Sequence, residues 1–277
     1  MSLRITTVSE NSVSMGIGLK AEHGLGYYIE NDGLRMFFDT GQGLVFEDNL
    51  KAMGIPISGI SHAVLSHGHY DHAGALKAVV KNNPDIKVVA HPEAFNPKYL
   101  SYDNQNFHYI GVHQKISELE SLGASVILSS EPFEIAPGIT TTGEIPMIWG
   151  FEKVEHYFFK DSGDKKVNDD IPDDQAIVID TEKGLVVVLG CTHRGLINTL
   201  THISEMTGKN KFHAITGGLH LGGASEERLK KTAEALKAFD IDRLIVGHCT
   251  GMKSAVYLFN SLPGKVEFGS VGSTILV

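Results

Sequence analysis

The segment Ser66-His67-Gly68-His69-Tyr70-Asp71-His72-Ala73-Gly74 constrains this chain more than any other. Four residues able to bind a metal, His67, His69, Asp71 and His72, fall within six positions in the pattern His-x-His-x-Asp-His. An apolar run from Ile60 to Leu65 precedes them and reads as a buried strand; a helical run from His72 to Asn82 follows. Extended backbone points alternate side chains the same way, so His67, His69 and Asp71 are expected to converge on one point. Asp71 is expected at the helix N-cap, with His72 on the first turn reaching a second point nearby. Imidazole and carboxylate together suit zinc, iron or manganese better than calcium or magnesium alone. Two adjacent ions sharing such a loop are a route to hydrolysis. A histidine-rich surface loop that binds nothing is the competing reading. The agreement of spacing, ligand chemistry and strand-to-helix placement weighs against it.

Composition narrows the partners. The net charge is -9 and no basic run exists, which argues against nucleic acid as a partner, although metals can neutralise phosphate locally. Two cysteines, Cys191 and Cys249, argue against a disulfide scaffold. No run approaches the roughly 18 apolar residues of a membrane span. Arg4 is followed by no apolar stretch of about 7–15 residues, so no signal peptide is expected and a cytoplasmic protein is the default.

Short apolar strands alternate with amphipathic helices. The spacing predicts strands at 5–8, 25–30, 34–39, 60–66, 87–90, 125–128, 139–142, 155–159, 175–180, 184–189, 212–216 and 243–246. Helices are predicted at 45–53, 73–81, 114–122, 196–207, 225–239 and 252–261. Asn31-Asp32-Gly33 and Glu182-Lys183-Gly184 read as hairpin turns, and Ser225 reads as an N-cap. The polar stretch Asp161 to Asp174 reads as a loop. Periodicity supports α/β or α+β and no finer class.

Other polar residues sit just past apolar strands, where side chains often face a site. His248 follows Leu244-Ile245-Val246 and Gly247. His220 lies in Gly217-Gly218-Leu219-His220-Leu221-Gly222-Gly223, where glycines allow close backbone approach; it is a candidate to contact substrate phosphate or donate a proton. His23 and His91 are weaker candidates of the same kind.

These residues resemble the metallo-β-lactamase superfamily. Ser66 to Gly74 matches its metal signature. Phe37-Phe38-Asp39-Thr40-Gly41 resembles its first motif, a strand ending in an Asp that supports the metal loop. Val246-Gly247-His248 resembles its last motif, a strand ending in a metal-binding His. The resemblance implies a four-layer αββα sandwich, two mixed β-sheets flanked by helices, as a single domain over residues 1–277. This chain departs from the pattern twice. Where most of the superfamily carries an Asp that bridges two metals, Gly190-Cys191-Thr192-His193 places a cysteine. Cys191 binds as a thiolate, His193 binds instead, only one metal is firmly held, or the pair is a buried Cys and a capping His. The middle motif's His is absent near Thr142-Gly143-Glu144-Ile145-Pro146, leaving Glu144 or His156 as substitutes.

One branch of the superfamily is closer still: the archaeal 7,8-dihydropterin-6-methyl-4-(β-D-ribofuranosyl)aminobenzene-5′-phosphate synthases. The resemblance runs through Glu22-His23-Gly24, Ser66 to Gly74, Gly190 to Asn198, Gly217 to Leu221 and Gly247-His248-Cys249-Thr250-Gly251. It implies a phosphate-bearing, pterin-like small-molecule substrate.

The expected metal ligands are thus His67, His69, Asp71, His72 and His248, completed by Cys191 or His193, around one or two divalent ions. Zinc is expected first, with iron, manganese or magnesium as alternatives. Asp71 and His220 are the expected catalytic groups. The chemistry is either metal-activated water or metal-assisted departure of pyrophosphate. A non-catalytic metal- or redox-sensing protein is the alternative. A literal β-lactamase is disfavoured by the missing middle His.

Overall fold

The computed structural model describes residues 3–16 and 18–277. Backbone contacts divide the chain into two compact units. The first holds Met1–Ser130, Glu155–Asp173 and Ser270–Val277; the second holds Glu131–Val154 and Asp174–Gly269.

In the first unit a mixed sheet runs in the order Thr274–Leu276, Leu3–Ser9, Gly26–Asn31, Leu34–Phe38, His62–Val64, Lys87–Ala90, Ser125–Leu128. The strands up to Leu34–Phe38 pair antiparallel and the rest pair parallel. The hairpin expected at Asn31-Asp32-Gly33 is present, with left-handed φ values of 46° and 88° at Asp32 and Gly33. Helices Phe46–Met53, Leu76–Asn82 and Ile116–Ser121 bring Phe46, Leu50, Leu76, Val79 and Leu119 into one cluster with Phe37, Ala63 and Val88. Met36 and Phe38, the alternate residues of the same strand, are also fully buried, so that strand is covered on both faces.

The second unit's sheet runs Val266–Phe268, Asp240–Gly247, Lys211–Gly218, Gly184–Leu189, Ala176–Thr181, Ile139–Thr141, Glu134–Ala136. The strands from Gly184–Leu189 to Val266–Phe268 are parallel. Helices Leu196–Thr207, Glu226–Leu236 and Met252–Ser261 contribute Leu196, Leu200, Leu229, Leu236 and Leu258 to a core with Leu185, Val187, Ile215 and Leu244. Ser225 caps its helix by accepting from the Arg228 amide at 3.2 Å, as expected. The fold class is α/β, with two large mixed sheets and helices.

Several expected elements change. The strand expected at 60–66 contracts to His62–Val64, the one at 155–159 begins only at Phe158, and the helix expected at 225–239 ends at Leu236. The helical run after His72 is broken into Tyr70–Ala73 and Leu76–Asn82. The reason lies in a neighbouring loop: Gly74 donates to the Gly41 carbonyl at 2.8 Å, and a Cβ on Gly74 would lie 2.0 Å from the Gln42 oxygen. The Gln42 loop thus packs where a side chain would sit.

The Asp161 to Asp174 stretch, expected as a loop, carries the hairpin Phe158–Ser162 with Lys165–Asn168. This hairpin extends a small antiparallel sheet with Lys98–Leu100 and His108–Tyr109. Its polar side chains pair instead of packing: Lys166 reaches Asp161 and lies 3.5 Å from the Tyr99 ring centroid. The end of the stretch is buried. Lys98 Nζ donates to Asp169 at 2.9 Å and to Asp173 at 2.7 Å, and all three side chains are almost fully buried.

Burial alone would push the Lys98 ammonium toward neutrality, but the charges of Asp173 and Asp169 outweigh it and hold its pKa above the ordinary value. Burial likewise opposes the Asp173 charge; Lys98 and the Gly68 amide overcome it and hold that carboxyl below the usual range. Lys98→Met is therefore expected to lower unfolding free energy by about 3–5 kcal/mol near neutral pH, because it strands buried carboxylates. A depressed Asp173 stabilises above its unfolded value of about 3.9, and that contribution fades as pH falls through the folded value. A raised Lys98 stabilises below about 10.4 and loses its contribution as pH rises through the folded value. The gap between native and Lys98→Met proteins in denaturant titrations should then be widest between those limits and narrow outside them.

Candidate metal centre

In the first unit, parallel strands release polar residues at their carboxyl ends, where open α/β sheets place ligands. Asp39 follows Leu34–Phe38, Ser66 to His72 follow His62–Val64, and His91 follows Lys87–Ala90. Asp39 is fully buried, with a left-handed φ of 58°. Its Oδ1 accepts from the Ser66 amide at 2.7 Å and its Oδ2 from the Ser66 hydroxyl at 2.6 Å. Oδ2 also lies 2.7 Å from His72 Nδ1. A carboxylate on Nδ1 fixes the ring and leaves Nε2 as the ligand atom, the arrangement that orients metal-binding histidines. Ser66 Oγ sits 2.8 Å from His67 Nδ1 and does the same for that ring.

The remaining groups gather around these two rings. His67 Nε2 is 2.9 Å from His69 Nδ1, and the His67 and His72 ring centroids are 4.2 Å apart. Asp71 Oδ2 lies 3.8 Å from His72 Nε2 and 3.3 Å from His23 Nε2. His69 stacks on Phe158. Gly68 is required here, since a Cβ would lie 1.8 Å from the Ala94 oxygen, and its amide donates to Asp173 at 2.7 Å. Three buried imidazoles and a buried carboxylate, two of the rings already oriented through Nδ1, are donors whose chemistry fits a borderline divalent cation.

The route to this gathering differs from strand alternation. His69, not Asp71, is the N-cap of the short helix, and Asp71 lies inside it. The helical turn, together with Thr40 and Leu25 amides donating to the His72 and Asp71 carbonyls at 2.7 and 3.1 Å, sets Asp71 beside His72.

In the second unit the strands Gly184–Leu189, Lys211–Gly218 and Asp240–Gly247 end the same way. Beyond them lie Cys191-Thr192-His193, His220, and His248-Cys249. Thr192, His220 and His248 all have left-handed φ, at 55°, 44° and 51°, a strained state that non-glycine residues adopt where the surroundings impose it. Cys191, His193 and His220 each offer a ligand atom within 4.8 Å of the other two, and the same holds for Cys191, His248 and Cys249. The His193 and His220 ring centroids are 4.1 Å apart.

Sequence reasoning gave no role to three contributors, two of which, Glu22 and Cys249, it named as parts of the branch resemblance. Glu22 is buried and accepts from Ser9 and from the amides of Gln42, Gly43, Leu44 and Val45, so it ties down the loop that breaks the helix. Glu152 is buried and accepts from the Ile197 and Asn198 amides at 3.0 and 2.7 Å, capping the helix that begins at Leu196. Burial raises the Glu152 pKa against those bonds. Cys249 is the third; its sulfur accepts from the His220 amide at 3.3 Å. Its signals in the sequence are the neighbour His248 and its place in the segment Gly247 to Gly251 that carries the branch resemblance. Within Gly190 to Asn198, Gly195 (whose Cβ would meet the Glu152 carboxylate) and Asn198 serve this scaffold.

Other candidates go elsewhere. Glu144 is half exposed and pairs with Arg194 Nη2 at 3.4 Å. His156 lies in a turn ahead of Phe158–Ser162, not inside a strand. Among the described residues neither joins a group of three metal-capable side chains. His91 caps a short 3-10 turn, its Nδ1 accepting from the Glu93 amide at 3.1 Å.

Asp39→Ala should free the His72 ring and lower metal affinity by about 10–100-fold, the usual cost of removing an orienting carboxylate. Competition against a chromogenic chelator measures it.

Residues 20–248 match the model of the metallo-β-lactamase superfamily. A curated relative from Methanocaldococcus jannaschii, the 7,8-dihydropterin-6-methyl-4-(β-D-ribofuranosyl)-aminobenzene-5′-phosphate synthase, is 33% identical over 91% of this chain and 89% of its own length. An uncharacterized protein of the same organism is also 33% identical, over 92% of this chain and 93% of its own. Among solved structures, Tm1679, a metal-dependent hydrolase of the β-lactamase superfamily, has a TM-score of 0.86 at 27% identity and covers 99% of both chains.

Proposed function

The chain belongs to the metallo-β-lactamase superfamily, and from that premise we propose that it is a metal-dependent enzyme acting on a phosphate-bearing or ester small molecule. The observation that carries the proposal is the oriented donor set of the first unit: His67 and His72 held through Nδ1 by Ser66 and Asp39, with His69 and Asp71 beside them. We take His67, His69, Asp71, His72, Cys191, His193 and His248 as the ligand residues, in one functional domain spanning residues 1–277. A divalent ion held by such ligands supplies Lewis acidity, which lowers the pKa of a water toward ~7 or neutralises charge on departing pyrophosphate.

The chain's own residues supply the rest. Asp71, flanked by His23 and His72, is the proposed proton acceptor. His220 is the proposed proton donor or phosphate contact, presented at the end of its strand by Gly217 and Gly218. The two named relatives point to two reactions: a synthase from the M. jannaschii protein and a hydrolase from Tm1679. A pterin-like phosphate ester is the substrate class for the first, and small phosphoesters or lactones for the second.

The test is a panel of phosphoesters, lactones and a dihydropterin pyrophosphate paired with an aromatic amine, assayed on chelated and metal-restored protein. Turnover should vanish on chelation and return with metal, and Asp71→Ala should lower kcat/KM by about 10²–10⁴-fold. Release of pyrophosphate with formation of a carbon–nitrogen bond between the pterin methyl carbon and the aromatic amine supports the synthase reading, and release of an alcohol the hydrolase reading. Turnover indifferent both to chelation and to Asp71→Ala would overturn the proposal.

A further inference from the structure

We propose that the second unit binds a soft divalent cation through two thiolates, Cys191 and Cys249, with His248 as a third ligand. This rests on the reading of the chain as a metalloprotein and adds a ligand, Cys249, that neither the sequence motifs nor the relatives assign. Three observations lead to it.

The first is the gathering of donors. Ligand atoms of Cys191, His248 and Cys249 lie within 4.8 Å of one another. A tetrahedral zinc with sulfur at about 2.3 Å and nitrogen at about 2.0–2.1 Å holds its ligand atoms roughly 3.4–3.8 Å apart.

The second is the space kept for the Cys249 sulfur. A Cβ on Gly218 would lie 2.5 Å from Sγ, so the strand that ends there carries no side chain where the sulfur sits. The His220 amide donates to the same sulfur at 3.3 Å. An amide donor on sulfur stabilises a thiolate, the form that binds metal. Packing alone would need neither feature, since a cysteine kept as a small apolar residue is served by apolar neighbours. This one has polar backbone partners instead: it accepts from the His220 amide and, as a thiol, donates to the Cys191 carbonyl at 3.5 Å.

The third is how the residues are delivered. His248 is held at a φ of 51° in the turn His248–Thr250, directly after the strand Asp240–Gly247. That backbone puts two consecutive residues, an imidazole and a thiol, into one cluster with Cys191. Gly251, at a φ of 71°, completes the turn against Gly222, where a Cβ would lie 2.8 Å from the Gly222 Cα.

Two thiolates change which metal is preferred. Soft sulfur ligands select zinc, or another thiophilic ion such as cobalt used as its probe, over magnesium and manganese. The expected preference of this unit is therefore zinc over magnesium by a wide margin.

The experiment loads chelated, fully reduced whole protein with cobalt(II) alone and reads the near-ultraviolet thiolate-to-cobalt charge-transfer absorption. Bound cobalt is measured by elemental analysis in each sample. The wild-type protein should show the band at two-thiolate intensity. Cys249→Ser and Cys191→Ser should each reduce it by about half per bound cobalt, and the double variant should abolish it. Variants that fold poorly are bypassed by a second readout on the unaltered protein: zinc, but not magnesium, should slow alkylation of both cysteines at least tenfold, followed by peptide mass analysis. Cobalt bound without a thiolate band would overturn the inference and remove Cys191 from the proposed ligand set; a band unchanged in Cys249→Ser, or no zinc protection of Cys249, would overturn the inference while leaving the proposed function standing. Failure of the wild-type protein to bind any cobalt or zinc would overturn both.

Discussion

A single buried carboxylate organises the first unit. Asp39 carries a charge with no access to water, so its stability depends on the hydrogen bonds it receives. It obtains them from two segments far apart in sequence, the Ser66 amide and hydroxyl and the His72 ring. That requirement fixes the end of one strand against the start of a helix. The neighbouring amides follow: Thr40 donates to the His72 carbonyl and Gly74 to the Gly41 carbonyl. The break in the helix, the orientation of His72 and the placement of Asp71 are all consequences of seating one charge. Glu22 plays a similar part nearby, holding the loop from Gln42 to Val45 through amide donors.

Both units place chemistry at the carboxyl ends of parallel strands. There the ladder of hydrogen bonds stops and the backbone is free to enter conformations that a strand forbids. Asp39, Thr192, His220 and His248 all occupy the left-handed region, which costs a non-glycine residue of order 1–3 kcal/mol. Rigid buried strands on one side and surrounding hydrogen bonds on the other hold them there. Asp32, Asp85, Asn104 and Ile171 share this backbone state away from the candidate sites, and the apolar cores of the two units, rich in leucine, isoleucine and valine, offset its cost.

Much of this was legible in the sequence, for identifiable reasons. Long apolar strands such as Gly184–Leu189 and amphipathic helices such as Leu196–Thr207 and Met252–Ser261 announce themselves by composition and period. The turn at Asp32-Gly33 follows from its dipeptide. The strands that escaped notice, among them Lys98–Leu100, Glu134–Ala136 and Thr274–Leu276, are too short to show alternation. The hairpin within Asp161 to Asp174 was hidden because it is held by ion pairs, not by an apolar face.

The candidate site was legible as residue types but not as geometry. His67, His69, Asp71 and His72 stand out by spacing, yet their actual arrangement depends on Asp39 and Gly74, contacts no local pattern encodes. Lys98 and Glu152 look like ordinary surface charges until their partners, tens of residues away, are seen. The most direct measurement is the transition-metal content of protein purified without chelator, beside Asp71→Ala and Cys191→Ala. The expected result is about one to two ions per chain in the native protein, with less retained in each variant. A native protein that retains no transition metal, and takes none up when it is offered, would contradict the reading of this chain as a metalloenzyme.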